Sequence, residues 1–437
     1  MTLERKPLLE WFDRNRQRTR EIFTLVDKSA WYERPIPLRN PIVFYEGHIP
    51  AFSVNTLVKG ALRRPGVDEH LEVLFARGID PETVSAADQS QAALWPDPDQ
   101  VQNYVRSADQ LVRDCLASSE IEDANDPMRI RALSAFTILE HEAMHQETLL
   151  YMLHRLPHDA KHRPGPAALN PEGKRRDRGI LTIPAGTATL GARPEDIAFG
   201  WDNEFQLHQV EVQEFELDAF NVTNDDFLRF VESGGYAQRR WWSDQGWEWI
   251  TANGIEYPGF WRSEGGRWLW RGMFDWIPLH ESWPVLVSHF EAQAYARWKG
   301  RRLMTEAEFH RAAYGSPSDG ERSHPWGEDP ASFQHGNFGF QHFDPCPVGS
   351  YPEGRSAWGV YDLVGNGWEW TSTVFAPFDG FEPMASYPQY SADFFDGKHY
   401  VLKGASQATA LPLIRRSLRN WFRPNYPYVY ATFRCAG

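Results

Sequence analysis

At 437 residues, with 42% hydrophobic and 24% charged side chains, the chain has the composition of a globular protein with material for two cores, not of a disordered or fibrous polymer. A formal net charge of −14 argues against the phosphate backbone of a nucleic acid as a partner, and favours a small-molecule substrate. Cys115, Cys346 and Cys435, an odd number without CxxC spacing, argue against a disulfide framework and against a cysteine zinc site.

Charge begins at Glu4, Arg5 and Lys6, and no run of about 18 apolar residues occurs, so neither a signal peptide nor a membrane span is expected and the cytoplasm is the expected compartment. Amphipathic periodicity predicts helices over 7–27, 50–64, 97–119 and 127–155, the makings of an up-and-down bundle in a first domain, 1–160. Residues 161–179, rich in Pro, Gly and basic side chains without apolar periodicity, read as a linker. From 180 to 437 the texture changes to short alternating strands (181–190, 208–217), many Gly and Trp, and a helix around 290–298, which predicts an irregular α+β domain. The fold class is therefore α+β in two domains, without internal repeats. Nineteen Trp, many clustered between Trp241 and Trp283, supply core and also suit a cage for a quaternary ammonium, which offers no hydrogen to donate and is held by aromatic faces.

The sharpest local pattern is His141-Glu142-Ala143-Met144-His145-Gln146-Glu147, inside the last bundle helix. Two His four residues apart differ by about 40° around a helix, so both rings project toward one point. His48, expected at the opening of another helix, is the third candidate, because bundles build metal sites from inward residues of different helices. One satisfied core histidine and one exposed histidine are the plain alternative. The same residues match HExxH, the zinc hydrolase pattern with Glu142 as base, although Thr148 and Tyr151 stand where metzincins need Gly and His. Glu147 lies about 200° from His145 around the helix, so it is assigned to orienting a ligand ring from outside. Three neutral imidazoles leave three positions of an octahedral ion open, which suits iron(II) holding a substrate donor and O2, with zinc the competing metal.

Further motifs extend the pattern: Val222-Thr223-Asn224, Pro284 to Ser288, Ala294 to Trp298, Gly300 to Phe309, Gly359 to Leu363, Gly365 to Trp370 and Phe433 to Ala436. Together with the histidines they make the chain similar to the ergothioneine-type sulfoxide synthase family over nearly its whole length. The resemblance implies a DinB-like four-helix bundle joined to a formylglycine-generating-enzyme-like, C-type-lectin-like domain. Cys346 and Cys435 do not reproduce the copper-binding pair of true formylglycine generation. The resemblance further implies Fe(2+) on His48, His141 and His145, and O2 as co-substrate. It implies a tyrosine that supplies a proton or hydrogen bond, Tyr387 first and Tyr390 second. It also implies a substrate loop in which Asn420 meets the polar groups of the betaine hercynine and Trp421 its trimethylammonium, bordered by Phe422, Arg423 and Met144. Phe422 stands where mycobacterial-type enzymes carry an acid, and Met144 where they carry Gln, so γ-glutamylcysteine is a poor donor candidate.

The first-domain stretch Leu38 to Phe52, continued by Asn55 to Leu57 and Leu74 to Asp80, is most similar to selenoneine synthases and next to ovothiol-type synthases. The methyltransferase domain that ovothiol enzymes carry is absent from these 437 residues. The leading expectation is thus C–Se bond formation between a selenosugar and hercynine. The alternative is C–S bond formation from cysteine or another thiol onto hercynine or histidine. A non-catalytic, aromatic-rich binding module on a metal-stabilised bundle is the reading outside enzymology.

Overall fold

The computed structural model describes residues 4–76, 95–165, 179–318 and 320–437, and these divide into two compact units. The first holds residues up to 167 together with Pro383–Gln389; the second holds 168–382 and 390–437. Most of the expected linker, 166–178, and the end of the Leu74 to Asp80 motif lie outside the described residues.

The first unit is built on helices α1 (Arg5–Phe23), α2 (Ile42–Ser53), α3 (Glu69–Leu74), α4 (Pro98–Ser118) and α5 (Leu133–Arg155). α1 packs on α4 and α5, and α2 packs on the same two helices. The sequence placed a helix over 50–64; instead α2 starts at Ile42 behind Pro41 and runs through Pro50, and the chain continues as a π-helical turn over Val54–Ala61. Pro50 reads as a helix start because proline tolerates the first turn best, but here burial of every residue from Ile42 to Ser53 overrides that preference. His48 therefore sits mid-helix. Lys161, from the expected linker, bridges to Val26 and donates to the Leu153 carbonyl at 3.0 Å, so the first residues past the bundle pack on it.

Among the described residues the second unit carries thirteen strands. β1 (Ile180–Ile183), β4 (Phe215–Asp218), β13 (Cys435–Ala436) and β8 (Arg302–Leu303) form one sheet in the order β1-β4-β13-β8. β11 (Asn420–Phe422), β10 (Tyr400–Ala405), β9 (Gly367–Val374) and β12 (Ala431–Thr432) form a second in that order, antiparallel except for the β12–β9 pair. β2 (Gly186–Leu190) pairs with β3 (His208–Val212), and β5 (Trp261–Glu264), β6 (Arg267–Arg271) and β7 (Trp276–Pro278) form a meander. The two expected strand runs thus each break in two, at Pro184-Ala185 and at Gln213-Glu214, so that one end joins a four-stranded sheet while the other makes a separate ribbon. Around the sheets lie α6 (Asn224–Glu232), α7 (Asp244–Asn253), α8 (His289–Trp298) and α9 (Glu306–Tyr314); α6, α8 and α9 open on capping boxes made by Thr223 with Asp226, Ser288 with Glu291, and Thr305 with Glu308.

The motifs of this unit are explained by packing. Arg434, fully buried, pairs with Glu369 of β9 at 2.8 and 3.0 Å and donates to the carbonyls of Asp218, Ala219 and Tyr361, tying the two four-stranded sheets together. A buried charge pair is tolerated because each donor has an acceptor. Trp370 donates its indole N–H to the Val287 carbonyl at 2.9 Å. Among the described residues no helix is long and apolar enough to cross a membrane.

Candidate metal centre

α2 and α5 bring three imidazoles to one place. His48, His141 and His145 each offer a ring nitrogen within 4.8 Å of the others. The ring centroids of His48 lie 5.1 Å from His141 and 4.9 Å from His145, and the Nε2 atoms of His141 and His145 are 3.1 Å apart. His48 Nδ1 is 2.7 Å from the Phe75 carbonyl. A carbonyl only accepts, so Nδ1 carries the proton and the lone pair of Nε2, which has no hydrogen-bond partner, is available. Burial pushes the His48 pKa down to about 4, against the opposing pull of the Phe75 carbonyl. Burial, then the fields of His145 and His48, holds His141 well below the ordinary imidazole range, and burial, then the fields of His48 and Arg39, does the same to His145. All three rings are thus neutral donors.

This donor set fits a metal ion. Two nitrogens at ~2.1 Å from one ion and at right angles are about 3.0 Å apart, close to the His141–His145 separation. An ion would also satisfy the buried lone pair of His48 Nε2, which has no hydrogen-bond partner among the described residues.

Close packing positions the His48 anchor. A Cβ on Gly47 would lie 2.4 Å from the Phe75 ring, so only glycine lets that ring press against α2 and set its carbonyl beside His48. Phe75 was not foreseen; a backbone acceptor at the end of another helix, just past Leu74, has no sequence signature.

Glu142 and Glu147 do not act as the sequence suggested. The Glu142 carboxylate faces α1, accepting from Arg16 at 2.7 Å and Thr19 at 2.6 Å, and so is committed to the bundle rather than to a metal-bound water. Its neighbour Gln146 donates to the Asn15 carbonyl and to Thr19 on that side. Glu147 is buried, but Nδ1 of His141, Nδ1 of His145 and Nε2 of His48 have no hydrogen-bond partner, so it orients none of these rings. Its angular offset on α5 takes it off the histidine face. Met144, partly buried and three residues after His141, borders that face.

The α1 side gives a pH prediction. Arg16 pairs with Asp109 at 2.9 Å and with Glu142, and it acts electrostatically on buried Glu46 as well, three carboxyls around one guanidinium. Burial, opposed by Arg16 and reinforced by Asp109 and Glu142, raises Glu46 from 4.5 to about 7. Between those values Glu46 holds its proton in the folded state and loses it in the unfolded chain, so its own contribution to stability falls as pH rises through that window, opposite in sign to that of the buried histidines, whose pKa values are lowered. Urea midpoints of the unsubstituted chain, taken relative to those of Glu46→Gln, which mimics the protonated acid, are expected to decline across it.

Tyr387 belongs to the same unit as the triad. Its ring centroid is 6.3 Å from that of His141 and 5.2 Å from that of Phe52, and the neighbouring Ser386 hydroxyl shares a 2.7 Å hydrogen bond with Thr137 of α5. Tyr390, three residues on, belongs to the second unit, stacked on Trp201 with centroids 3.9 Å apart.

The second unit also holds the expected substrate loop. Asn420, Trp421 and Phe422 form β11, paired with Leu402, Val401 and Tyr400. Trp421 is stacked on Phe375 (4.2 Å, 6°) and flanked by Tyr390 at 5.2 Å and Phe394 at 5.6 Å. Asn420 Oδ1 accepts from the Trp421 N–H at 2.9 Å. Phe422 stacks on Tyr426 (5.2 Å, 13°), and Arg423 acts electrostatically on Asp396 and His399. Arg419, missed from sequence, anchors this strand with a buried pair to Glu306 at 2.9 and 3.1 Å.

The chain thus joins a helical bundle, whose three histidines could hold a metal ion, to an α+β unit. The DinB superfamily model matches residues 12–149, and the sulfatase-modifying factor enzyme 1-like domain matches 166–437. Hercynine oxygenase of Mycolicibacterium thermoresistibile is 35% identical over 409 residues, 92% of this chain and 88% of that one. Its counterpart in Mycobacterium tuberculosis is 35% identical over 403 residues, 92% and 91% of the two chains. Ergothioneine biosynthesis protein 1 of Neurospora crassa is 30% identical over 495 residues, 94% of this chain and 55% of that one. The chain belongs to the hercynine oxygenase family.

Proposed function

We propose that the chain is an iron(II)- and O2-dependent sulfoxide synthase that joins the sulfur of a thiol to the imidazole ring of hercynine. The convergence of His48, His141 and His145 carries the reading, since three neutral donors from two helices leave half of an octahedral ion for reactants. Bound there, iron(II) would hold both reactants and O2 on one centre and supply the one-electron chemistry that side chains lack. Tyr387 is assigned the proton or hydrogen bond at the reacting oxygen. Trp421, with Phe375, Tyr390 and Phe394 around it, suits the trimethylammonium group. The Asn420 amide, its oxygen taken by the Trp421 N–H, keeps its NH2 for the carboxylate of the betaine.

This order reverses the expectation from the first-domain stretch, in which a selenosugar led. The relatives are named for hercynine and for ergothioneine, and neither name refers to selenium. Selenium transfer stays as the second reading on one observation: Phe422, against Tyr426, offers an aromatic face and no charge for the ammonium of an amino-acid thiol.

Anaerobic reconstitution with iron(II) and hercynine, followed by O2 and competing cysteine, γ-glutamylcysteine and a selenosugar, separates the readings by product mass. Sulfur from cysteine in the product is expected. Selenium in the product moves the assignment to the second reading, and no O2 uptake with any donor removes both.

A further inference from the structure

A metal-binding histidine is ordinarily oriented by an acceptor for its outer N–H. His48 has one in the Phe75 carbonyl, but Nδ1 of His141 and Nδ1 of His145 have no hydrogen-bond partner. What holds His141 lies on α2. Phe44, His48 and Phe52 recur every fourth residue, so their rings share one face of that helix. Phe44 stacks on His48 with centroids 4.9 Å apart and planes 16° from parallel. Phe52 crosses to α5 and lies face to face on His141, 3.5 Å and 10°. The same Phe52 ring meets Tyr387 at 5.2 Å and 58°, so one buried side chain touches both a candidate ligand and the candidate proton donor. Immediately after Ser53 the helix passes into its π-helical turn, a feature frequent at functional sites.

We propose that Phe52 is a positioning residue of the metal centre, setting the plane of the His141 ring by stacking where the Phe75 carbonyl orients His48 by hydrogen bonding. The inference rests on the triad being the metal site proposed above. A parallel ring at this distance resists tilting of the imidazole, whereas an aliphatic chain of similar volume fills the space without defining a plane. The two devices also differ electronically: an acceptor on the outer N–H raises ligand basicity and a phenyl face does not, so His48 is the more basic donor of the pair.

The test is metal binding to the stripped full-length chain, read with cobalt(II) for its visible spectrum and with iron(II) under anaerobic conditions. The unsubstituted chain must bind a single ion at the triad; if it does not, the metal reading itself falls. Phe52→Leu is expected to weaken binding about 10–100-fold and to alter the cobalt spectrum, with the far-UV spectrum and melting curve of the metal-free protein unchanged. Phe52→Tyr, which keeps the ring, is expected to bind as the parent does. Wild-type affinity and spectrum in folded Phe52→Leu overturn the inference and leave the metal reading standing. So does a folded Phe52→Tyr that loses as much affinity as Phe52→Leu. Should Phe52→Leu fail to fold, Phe52→Met serves the same comparison.

Discussion

His48→Ala is expected to weaken metal binding by more than about 100-fold, beyond what loss of an orienting partner alone does, and to abolish product formation while the bundle stays folded. The ring is fully buried, and its outer nitrogen is anchored by the Phe75 carbonyl. Its removal takes one of three nitrogens from the site and leaves that carbonyl without a partner, a penalty of about 1–3 kcal/mol. α2 retains its other contacts with α4 and α5, so the loss falls on the site more than on the helix. Metal content by mass spectrometry, together with thermal melting of the metal-free variant, checks the result. A purely structural ion predicts the opposite pairing, in which the melting curve of the metal-loaded protein collapses and no activity existed to lose.

Tyr387→Phe is expected to slow product formation by about 10²–10⁴-fold, the range for a positioned proton donor, with metal affinity unchanged. Its ring lies beside His141 and Phe52, and phenylalanine keeps those contacts, so only the hydroxyl is removed. Tyr390→Phe is the control. That ring stacks on Trp201 and edges Trp421, so its loss of a hydroxyl is expected to alter the apparent affinity for the betaine far more than the rate at saturation. Single-turnover kinetics with both variants decides between them; an unimpaired Tyr387→Phe withdraws the proton role.

Local chemistry was the legible part. The four-residue spacing of His141 and His145 determines a shared helix face whatever surrounds it, and the turn to Gly- and Trp-rich texture after 180 marks the α+β unit. Features that depend on distant partners were not legible. Pro50 looked like a helix start because local preference cannot weigh the burial of the whole of Ile42–Ser53. Glu147 looked like an orienting acid because its helix angle could not reveal that the acceptor for His48 is a carbonyl 27 residues away in sequence. Glu142 matched a hydrolase motif letter for letter, yet Arg16 and Thr19 of α1 claim it. Tyr387 and Tyr390 were inseparable as neighbours, though the chain divides between them. The row of Phe44, His48 and Phe52 was in plain view and went unread, because phenylalanine in a buried helix is usually just filling.

Pro383–Gln389 is counted with the bundle although the polypeptide on both sides of it is not. The architecture is consequently interlaced: no single scission releases the histidine-bearing half intact, since an amino-terminal fragment ending near Ala167 would leave Ser386 and Tyr387 behind. Exchanging the histidine-bearing unit with that of a relative therefore requires grafting two stretches of polypeptide, the short second one travelling alongside the helices it completes.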